Sequence, residues 1–458
     1  MENTKEEIKV NKMEKSELLK RKVALITLGC DKNRVDAEKI LYFLTDYGFQ
    51  ITNNILDAEI VIVNTCAFIN ASRKESLNTI FEINCLRQNK LEKLIVTGCL
   101  SEKNYNDLCE NLPEADLVLR LKDNKFIVRR IEELYNVNNV YTPCFNNLNR
   151  VVSTPKNYAY LKISDGCNNF CSYCTIPFIR GRFKSVNMEN LVLEAEELVS
   201  GGAREIILVG QDVTKYGFDL YGEYKLVELI QKLSKIEKLK WIRLLYCYPE
   251  LISDELINEI DTNDKVCKYI DIPLQHISDS VLKNMNRKGD KNKILSVIDK
   301  LKKAKNFISI RSTFIVGFPK EKHKDFLEVK QFLIEYKLNN VGFFAYSKEE
   351  NTKAYYMKGQ IPNFVKKYRL KHLQKLQKNV IINNNQKLVG KVLEAVVENF
   401  EDGVYTLRSE YNAPEIDTNI FVKTEKQLNL YDYYKIKITE VAGYDLIGEI
   451  IDENESSK

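Results

Sequence analysis

Apolar and polar positions fall into distinct rhythms along this chain. From residue 23 to about residue 96, short apolar runs at 23–28, 60–63 and 94–96 alternate with stretches of helical spacing at 35–47 and 71–88. Strands joined through helices pair in parallel and bury both faces, so the alternation predicts an N-terminal parallel-sheet α/β domain. From about 158 to 361 the alternation returns with a longer period. Apolar runs at 160–163, 206–209, 242–245, 269–272, 310–316 and 341–345 are separated by helical segments such as 191–199 and 326–336. Six strand–helix units predict a partial (βα)6 barrel. Past residue 386 the runs shorten and alternate residue by residue, as in Tyr434-Lys435-Ile436-Lys437-Ile438, which predicts a small antiparallel β-barrel. The expected organisation is a charged extension over 1–22, domains over 23–145 and 153–385, the latter including a connecting basic helix, and a terminal barrel over 386–452.

Length and composition agree with several domains, since 458 residues at 44% apolar content exceed one ordinary domain and suffice for more than one core. Residues 1–22 are charged and lack an apolar stretch, so neither a secretory leader nor a membrane anchor is expected, and the protein is expected in the cytoplasm. The net charge of +5 hides a split. Residues 386–458 carry eight Lys and Arg against fifteen Asp and Glu, a net of −7, which leaves +12 for the rest. Just upstream, Lys366, Lys367, Arg369, Lys371, Lys375 and Lys378 occur without one acidic residue between 363 and 385, around apolar Leu370, Leu373 and Leu376. We read this run as a solvated helix face joining two domains, with contact to nucleic acid as the other reading.

Chemistry concentrates in the cysteines. The chain has eleven, an odd number that argues against a disulfide framework. Cys167, Cys171 and Cys174 place three thiols on one loop at C-x3-C-x2-C spacing, enough for three corners of a four-iron cluster, with one iron left open for a small molecule. S-adenosylmethionine is the cofactor that chelates such an iron. Zinc is the rival, but structural zinc takes four closed ligands and the nearest histidine, His276, lies about a hundred residues on. Cys30, Cys66 and Cys99 each follow the end of one of the first three apolar runs. In an open parallel sheet those ends share one edge, where ligands bind, so these thiols are expected to converge on a second cluster; three buried structural cysteines are the alternative. Gly29 and Gly98 precede two of them and relax the backbone there. Cys85 and Cys109 sit within helical patterns, Cys144, Cys247 and Cys267 have no cysteine partner at a motif spacing, and all five are read as packing residues. Gln211, Asp212, Tyr246, Gln275, His276 and Gly317 stand at later strand ends and are expected to line a pocket, although His276 could equally be a satisfied core histidine.

The loop of residues 167–174 resembles that of radical S-adenosylmethionine enzymes, and Cys30, Cys66 and Cys99 resemble the second-cluster ligands of their methylthiotransferase branch. Three windows are similar to the RimO family: Leu28-Gly29-Cys30-Asp31-Lys32-Asn33, Cys174-Thr175-Ile176-Pro177-Phe178-Ile179-Arg180-Gly181 and Asp271-Ile272-Pro273-Leu274-Gln275-His276-Ile277-Ser278. The tRNA-modifying MiaB relatives differ in the last window, which there ends in Gln-Ser-Gly-Ser. The resemblance implies two [4Fe-4S] clusters, S-adenosylmethionine and an electron donor. It also implies methylthiolation of an aspartate β-carbon in ribosomal protein uS12, with no membrane partner. A MiaB-like tRNA adenosine methylthiotransferase and a non-enzymatic iron–sulfur or ribosome-binding protein are the alternatives. Gly201 and Gly202, before Glu205, resemble the family's glycine turn for the methionine amino group, against a plain turn. Gly317-Phe318-Pro319 resembles the adenine-side strand end, with departures at Lys320, Lys322 and His323. Ala67 stands where the family carries a glycine. The terminal barrel resembles a TRAM domain, and Ala413-Pro414-Glu415-Ile416-Asp417 resembles its RimO version. Its negative charge suits a basic protein better than a phosphate backbone, so Glu410, Glu415 and Asp417 are expected to attract the substrate.

Overall fold

The structure, a computed structural model, describes residues 13–137, 141 and 149–451. Cys144 and the ends of the chain lie outside the described residues. The chain forms two compact units, one running to Ser153 and including Phe178–Arg180, the other holding Thr154–Pro177 and Gly181–Lys458.

In the first unit β1 (Lys22–Thr27), β2 (Gln50–Ile51), β3 (Ile60–Thr65), β4 (Lys93–Gly98) and β5 (Leu117–Val118) form one parallel sheet in the order β2-β1-β3-β4-β5. Ile60 and Ile62 pack into one core with Ile40 and Leu44, while Val61 and Val63 pack into the opposite one with Ile80 and Leu100. A strand covered on both faces reads as a continuous apolar run, as residues 60–63 do. The two-residue strands β2 and β5 offer no run for a pattern to show. The helix Asp31–Tyr47 stops at Gly48, whose φ of +111° lets the N–H groups of Gly48 and Phe49 both donate to the Leu44 carbonyl at 3.2 and 3.0 Å.

The second unit opens with β6 (Tyr158–Lys162) and an antiparallel ribbon of β7 (Ser164–Asp165) and β8 (Lys184–Ser185). Then come β9 (Glu205–Val209), β10 (Trp241–Leu244), β11 (Val266–Gln275), β12 (Ser309–Val316) and β13 (Asn340–Ala345). With β6 they make a six-stranded parallel sheet in sequence order, the partial (βα)6 barrel expected. Ile206, Leu208, Ile242, Leu244, Ile270 and Ile272 join the apolar core under the helices. Intervening positions take the other face and include Arg243, Asp271 and Arg311. The 24-residue helix Asn363–Gln386 packs on β13 and on the helix His323–Tyr336.

The chain ends in a closed barrel of β14 (Val392–Glu401), β15 (Val404–Ser409), β16 (Ile420–Lys423), β17 (Tyr433–Ala442) and β18 (Asp445–Ile450). Its pairings are antiparallel except β16 with β18, which are parallel. Five strands cannot alternate direction all the way round a ring, so one such pair is required.

This barrel is tied to the amino ends of the parallel strands by buried charge. Glu205, the first residue of β9, accepts from Arg243 Nε at 2.5 Å and from Arg408 Nη2 at 2.7 Å, with all three side chains at most 1% exposed. The Tyr269 hydroxyl donates to Asp417 at 2.7 Å, the Tyr158 hydroxyl to Glu415 at 2.9 Å, and the Lys268 N–H to Glu410 at 2.9 Å. The expectation that Glu410, Glu415 and Asp417 attract a substrate is thereby corrected for Asp417, whose side chain is 2% exposed, while Glu410 and Glu415 each give one carboxylate oxygen to the parallel strands and Glu415 stays exposed. No helix of the described residues is long and apolar enough to cross a membrane.

Burial alone would raise the Glu205 pKa, yet Arg243 and Arg408 together bring it below the ordinary value. A folded pKa below the unfolded one adds stability that is complete above about pH 4.3 and is lost as pH falls through the lowered value. Glu205→Gln leaves Arg243 buried without its anion and Arg408 with only Glu398, at 2.7 Å, and should cost about 3–5 kcal/mol near neutral pH. The gap between the two proteins' denaturation midpoints should narrow in acid, whereas a constant gap from pH 7 to pH 3 contradicts the assignment.

Candidate active site

In the first unit Cys30, Cys66 and Cys99 stand just past β1, β3 and β4, which are neighbours in the sheet. Cys30 is the N-cap residue of the helix Asp31–Tyr47, while Cys99 opens the short helix Cys99–Lys103. Cys66 and Cys99 are buried. A Cβ on Gly29, at φ +92°, would lie 2.8 Å from Cys66 Sγ, so the Cys30 turn lies directly against the second thiol. Gly98, at φ +101°, leaves no room for a Cβ beside the Thr65 backbone. Polar side chains knit these strand ends together. The Asn33 amide donates to the Leu28 and Thr65 carbonyls at 2.7 and 3.2 Å, and the Thr65 hydroxyl donates to the Thr97 carbonyl at 2.5 Å. Ser76 Oγ accepts from the Cys66 N–H at 3.0 Å and donates back to its carbonyl at 2.9 Å. Burial pushes the Cys99 thiol up to about 12, opposed by the Arg180 guanidinium and reinforced by Cys30 and Cys66. Arg180 Nη2 reaches Cys99 Sγ at 3.7 Å while Nη1 pairs with Asp36 at 2.9 Å.

In the second unit the ribbon β7/β8 pinches off the loop that carries Cys167, Cys171 and Cys174. The Cys167 N–H donates to the Gly181 carbonyl at 3.1 Å, and the N–H groups of Asn169 and Ile176 donate to Cys167 Sγ and Cys174 Sγ, each at 3.4 Å. Residues 284–287 hold the loop from outside, with Ser172 donating through its N–H to the Met285 carbonyl and through its hydroxyl to the Asn284 carbonyl at 2.9 and 2.8 Å. Arg287 brings a buried cation to the thiols. Its guanidinium lies 4.2 Å over the Tyr248 ring, donates to the Pro273 carbonyl at 3.0 Å and comes within 4.0 Å of Cys171 Sγ. Beside them opens a cleft of about 420 Å³, lined by Asn169, Cys171, Asp212, Lys215, Tyr248 and Arg287 among others. Asp212 organises its wall, accepting from Asn169 at 2.9 Å and from Thr214 at 2.5 Å, with Lys215 at 3.4 Å.

Most of the other expected site residues also stand at carboxyl ends. Gln211 follows β9, and both its amide oxygen and nitrogen are buried without a hydrogen-bond partner. Tyr246, two residues past β10, and Gln275, the last residue of β11, take the left-handed region at φ +62° and +68°, which bulky residues adopt only under constraint. Asp271 supplies that constraint for Tyr246, accepting its N–H at 3.0 Å while pairing with Arg311 at 2.8 Å. At Gln275 the β11–β12 ladder shifts register across Pro273, which has no N–H to give. Gly317, at φ +73°, donates to Glu321 at 2.5 Å, and a side chain there would strike the Lys366 stem. His276 is fully buried, its Nδ1 accepting from the Ser278 N–H at 3.0 Å; desolvation lowers its pKa to about 3, so the ring is neutral.

Two expectations need correction. Gly201 and Gly202 form the turn before β9, at the amino end of the sheet, whereas the thiol loop follows the carboxyl end of β6. The glycine at the chemical edge of β9 is Gly210, where a Cβ would lie 2.5 Å from Ser164 Oγ. Its signal was present as Gly210-Gln211-Asp212 directly after an apolar run. Cys85 and Cys109 are exposed rather than packed, unlike Cys247 and Cys267, which are buried. The departures at Lys322 and His323 fall at the start of the helix His323–Tyr336, where the Lys322 N–H donates to Asp325 at 2.7 Å. Arg287 and Tyr248 escaped sequence reading because neither lies near Cys167, Cys171 or Cys174 in the chain.

The donor sets fit iron–sulfur clusters in kind: each is three thiols, mostly buried, with N–H or guanidinium donors at sulfur. Among the described residues no three His, Cys, Asp or Glu side chains are gathered as ligands of a single metal ion. A cubane asks for thiolates at its corners instead of around one ion. The unpartnered Gln211 amide and the adjoining cleft fit a polar small molecule beside the loop.

Three family models match the chain: the radical SAM superfamily over residues 161–333, the uncharacterized protein family UPF0004 over 22–120 and the TRAM domain over 389–451. Ribosomal protein uS12 methylthiotransferase RimO of Thermoanaerobacter sp. (strain X514) is 46% identical over 435 residues, covering 94% of this chain and 100% of the relative. The same-named proteins of Clostridium botulinum (strain Eklund 17B / Type B) and Clostridium tetani (strain Massachusetts / E88) are 46% and 44% identical over 445 residues, each covering 95% of this chain and 100% of the relative. Among solved structures, the radical S-adenosylmethionine methyltransferase TsrM of Kitasatospora setae, with cobalamin and a [4Fe-4S] cluster bound, aligns at a TM-score of 0.52 and 11% identity. It covers 84% of this chain and 77% of that one, a likeness of fold.

The tight approach at Gly98 gives a stability test. Gly98→Ala combines left-handed strain with a backbone collision and should cost about 2–4 kcal/mol. Gly403→Ala, at φ +79° with nothing within 4 Å of the new methyl, should cost only about 1–2 kcal/mol. Equal costs by chemical denaturation would contradict the packing of the β3 and β4 ends.

Proposed function

The chain belongs to the RimO family of ribosomal protein uS12 methylthiotransferases, and we propose that it attaches a methylthio group to the β-carbon of an aspartate in uS12. The observation that carries this reading is likeness to those enzymes along almost the whole chain. The tRNA-adenosine alternative finds no support in these relatives and is set aside.

On this reading Cys167, Cys171 and Cys174 hold one four-iron cluster, and Cys30, Cys66 and Cys99 hold a second. When bound, the clusters and S-adenosylmethionine supply the radical, sulfur and methyl chemistry that no side chain can provide at an unactivated carbon. The chain's own work is binding, orientation and exclusion of water. Buried thiols give each cluster a dry seat, and the N–H groups of Asn169 and Ile176 hold the Cys167 and Cys174 sulfurs in place. Arg287, fixed between the Tyr248 ring and the Pro273 carbonyl, offsets negative charge at Cys171. Gln211, Tyr246, Gln275 and Gly317 would form the cofactor side of the pocket. The neutral His276 supports the β11 turn from within. An electron donor is a required partner, and the cytoplasm, where ribosomal proteins are assembled, is the expected compartment.

The test is intact-mass analysis of uS12 from cells carrying the wild-type gene, no gene or Cys66→Ala. The wild type should add the mass of one methylthio group in place of hydrogen, and the other two strains should add nothing. Purified Cys66→Ala should still form deoxyadenosine on reduction, since Cys167, Cys171 and Cys174 are untouched. Unmodified uS12 in wild-type cells that express the chain, or full modification by Cys66→Ala, would contradict the proposal.

A further inference from the structure

The basic run on the helix Asn363–Gln386 is split by burial. Lys366 and Arg369 turn inward, Lys366 Nζ donating to the Tyr346 carbonyl at 2.9 Å and Arg369 Nη1 to Glu321 Oε1 at 2.7 Å. They act as internal struts for the chain after β12 and β13. The remaining cations face outward. Lys367, Lys371, Lys375 and Lys378 are exposed, as are Phe364 at 74% and Tyr368 at 56%. At 3.6 residues per turn these six positions fall within a sector of roughly 100°, and the lysines recur about every 4.5–6 Å along the axis. Leu373, Gln377 and Val380 fill the opposite, buried side.

An ordinary solvated helix face carries both signs of charge, paired at i and i+4, and keeps large aromatic side chains off the water side. This face does neither. The helix contains no acidic residue, and two aromatic rings stand in line with the lysines. Alternating cations and exposed rings are the composition that grips a nucleic-acid strand, with cations on phosphates and rings stacked on unpaired bases. The acidic terminal barrel cannot do this, because its net charge repels phosphate. Lys378 approaches the exposed Tyr444 ring in the β17–β18 turn at 5.4 Å, so the stripe ends against a further aromatic side chain.

We propose that the outward face of the helix Asn363–Gln386 docks the enzyme on RNA, through Lys367, Lys371, Lys375 and Lys378 on phosphates and Phe364 and Tyr368 on bases. The inference rests on a ribosomal protein being the substrate, since such a protein is presented in a shell of RNA. The stripe would recognise the particle, whereas the thiol-bearing edge of the fold acts on the protein.

The test compares the full-length wild type with Lys367→Glu/Lys371→Glu/Lys375→Glu for binding to purified small ribosomal subunits, to free uS12 and to anionic phosphatidylglycerol vesicles across a salt series. Each lost phosphate contact lowers the slope of log K against log salt by about 0.7–0.9, so the triple variant should lose roughly two units of slope and at least about tenfold in subunit affinity. Phe364→Ala/Tyr368→Ala should weaken subunit binding with the slope unchanged. Both variants should bind and modify free uS12 like the wild type. Unaltered subunit affinity and slope in the triple variant would overturn the RNA-docking proposal, as would a loss confined to vesicles, which marks a membrane-binding face. A wild type that modifies no form of uS12 would instead overturn the assigned reaction, and the two failures are therefore distinguishable.

Discussion

A parallel sheet sends every strand's carboxyl end to the same edge, and both units of this protein depend on that constraint. Cys30, Cys66 and Cys99 are far apart in sequence, yet they follow three adjacent strands and so stand at one edge without any loop reaching for it. In the second unit the thiol loop follows β6, and Gln211, Tyr246, Gln275 and Gly317 follow β9 to β12 in turn. The opposite edge is left for structure. There Glu205, Arg243 and Arg408 form a buried triad, with Tyr158 and Tyr269 adding hydrogen bonds to the terminal barrel.

The two edges communicate through the interior face of the second sheet. Asp417 lies 3.5 Å from Arg311, Arg311 pairs with Asp271, and Asp271 accepts the Tyr246 N–H. A loop of the terminal barrel thus buttresses the backbone of a pocket residue held in the left-handed region. Removing a member of this chain would leave a buried charge uncompensated, which costs more than the pair contributes in isolation.

What was legible in the sequence follows from what is local. Strand runs, helix spacing and thiol placement depend on a few neighbouring residues, and they read correctly for the fold and for which cysteines stand at strand ends. Charge did not. Glu410, Glu415 and Asp417 look like a surface patch in sequence, yet their partners lie on strands more than a hundred residues away. Lys366 and Arg369 look like members of a solvated run until Tyr346 and Glu321 are seen to receive them. The Gly201–Gly202 assignment failed for a different reason: residue type was matched without strand direction, and after β9 it is Gly210 that lies at the edge where ligands bind. Arg287 and Tyr248 needed tertiary structure altogether, because the turns that bring them to Cys171 belong to different strand ends.

The whole reading turns on the proposed assignment of Cys167, Cys171 and Cys174 to one cluster and of Cys30, Cys66 and Cys99 to a second. It is tested most directly by counting iron and sulfide per chain after anaerobic reconstitution. The wild type should hold about eight irons, and Cys167→Ala/Cys171→Ala/Cys174→Ala about four, with the remainder lost on further substitution of Cys30, Cys66 and Cys99. A wild type that saturates near four irons, or a count unchanged when either triad is removed, would contradict it.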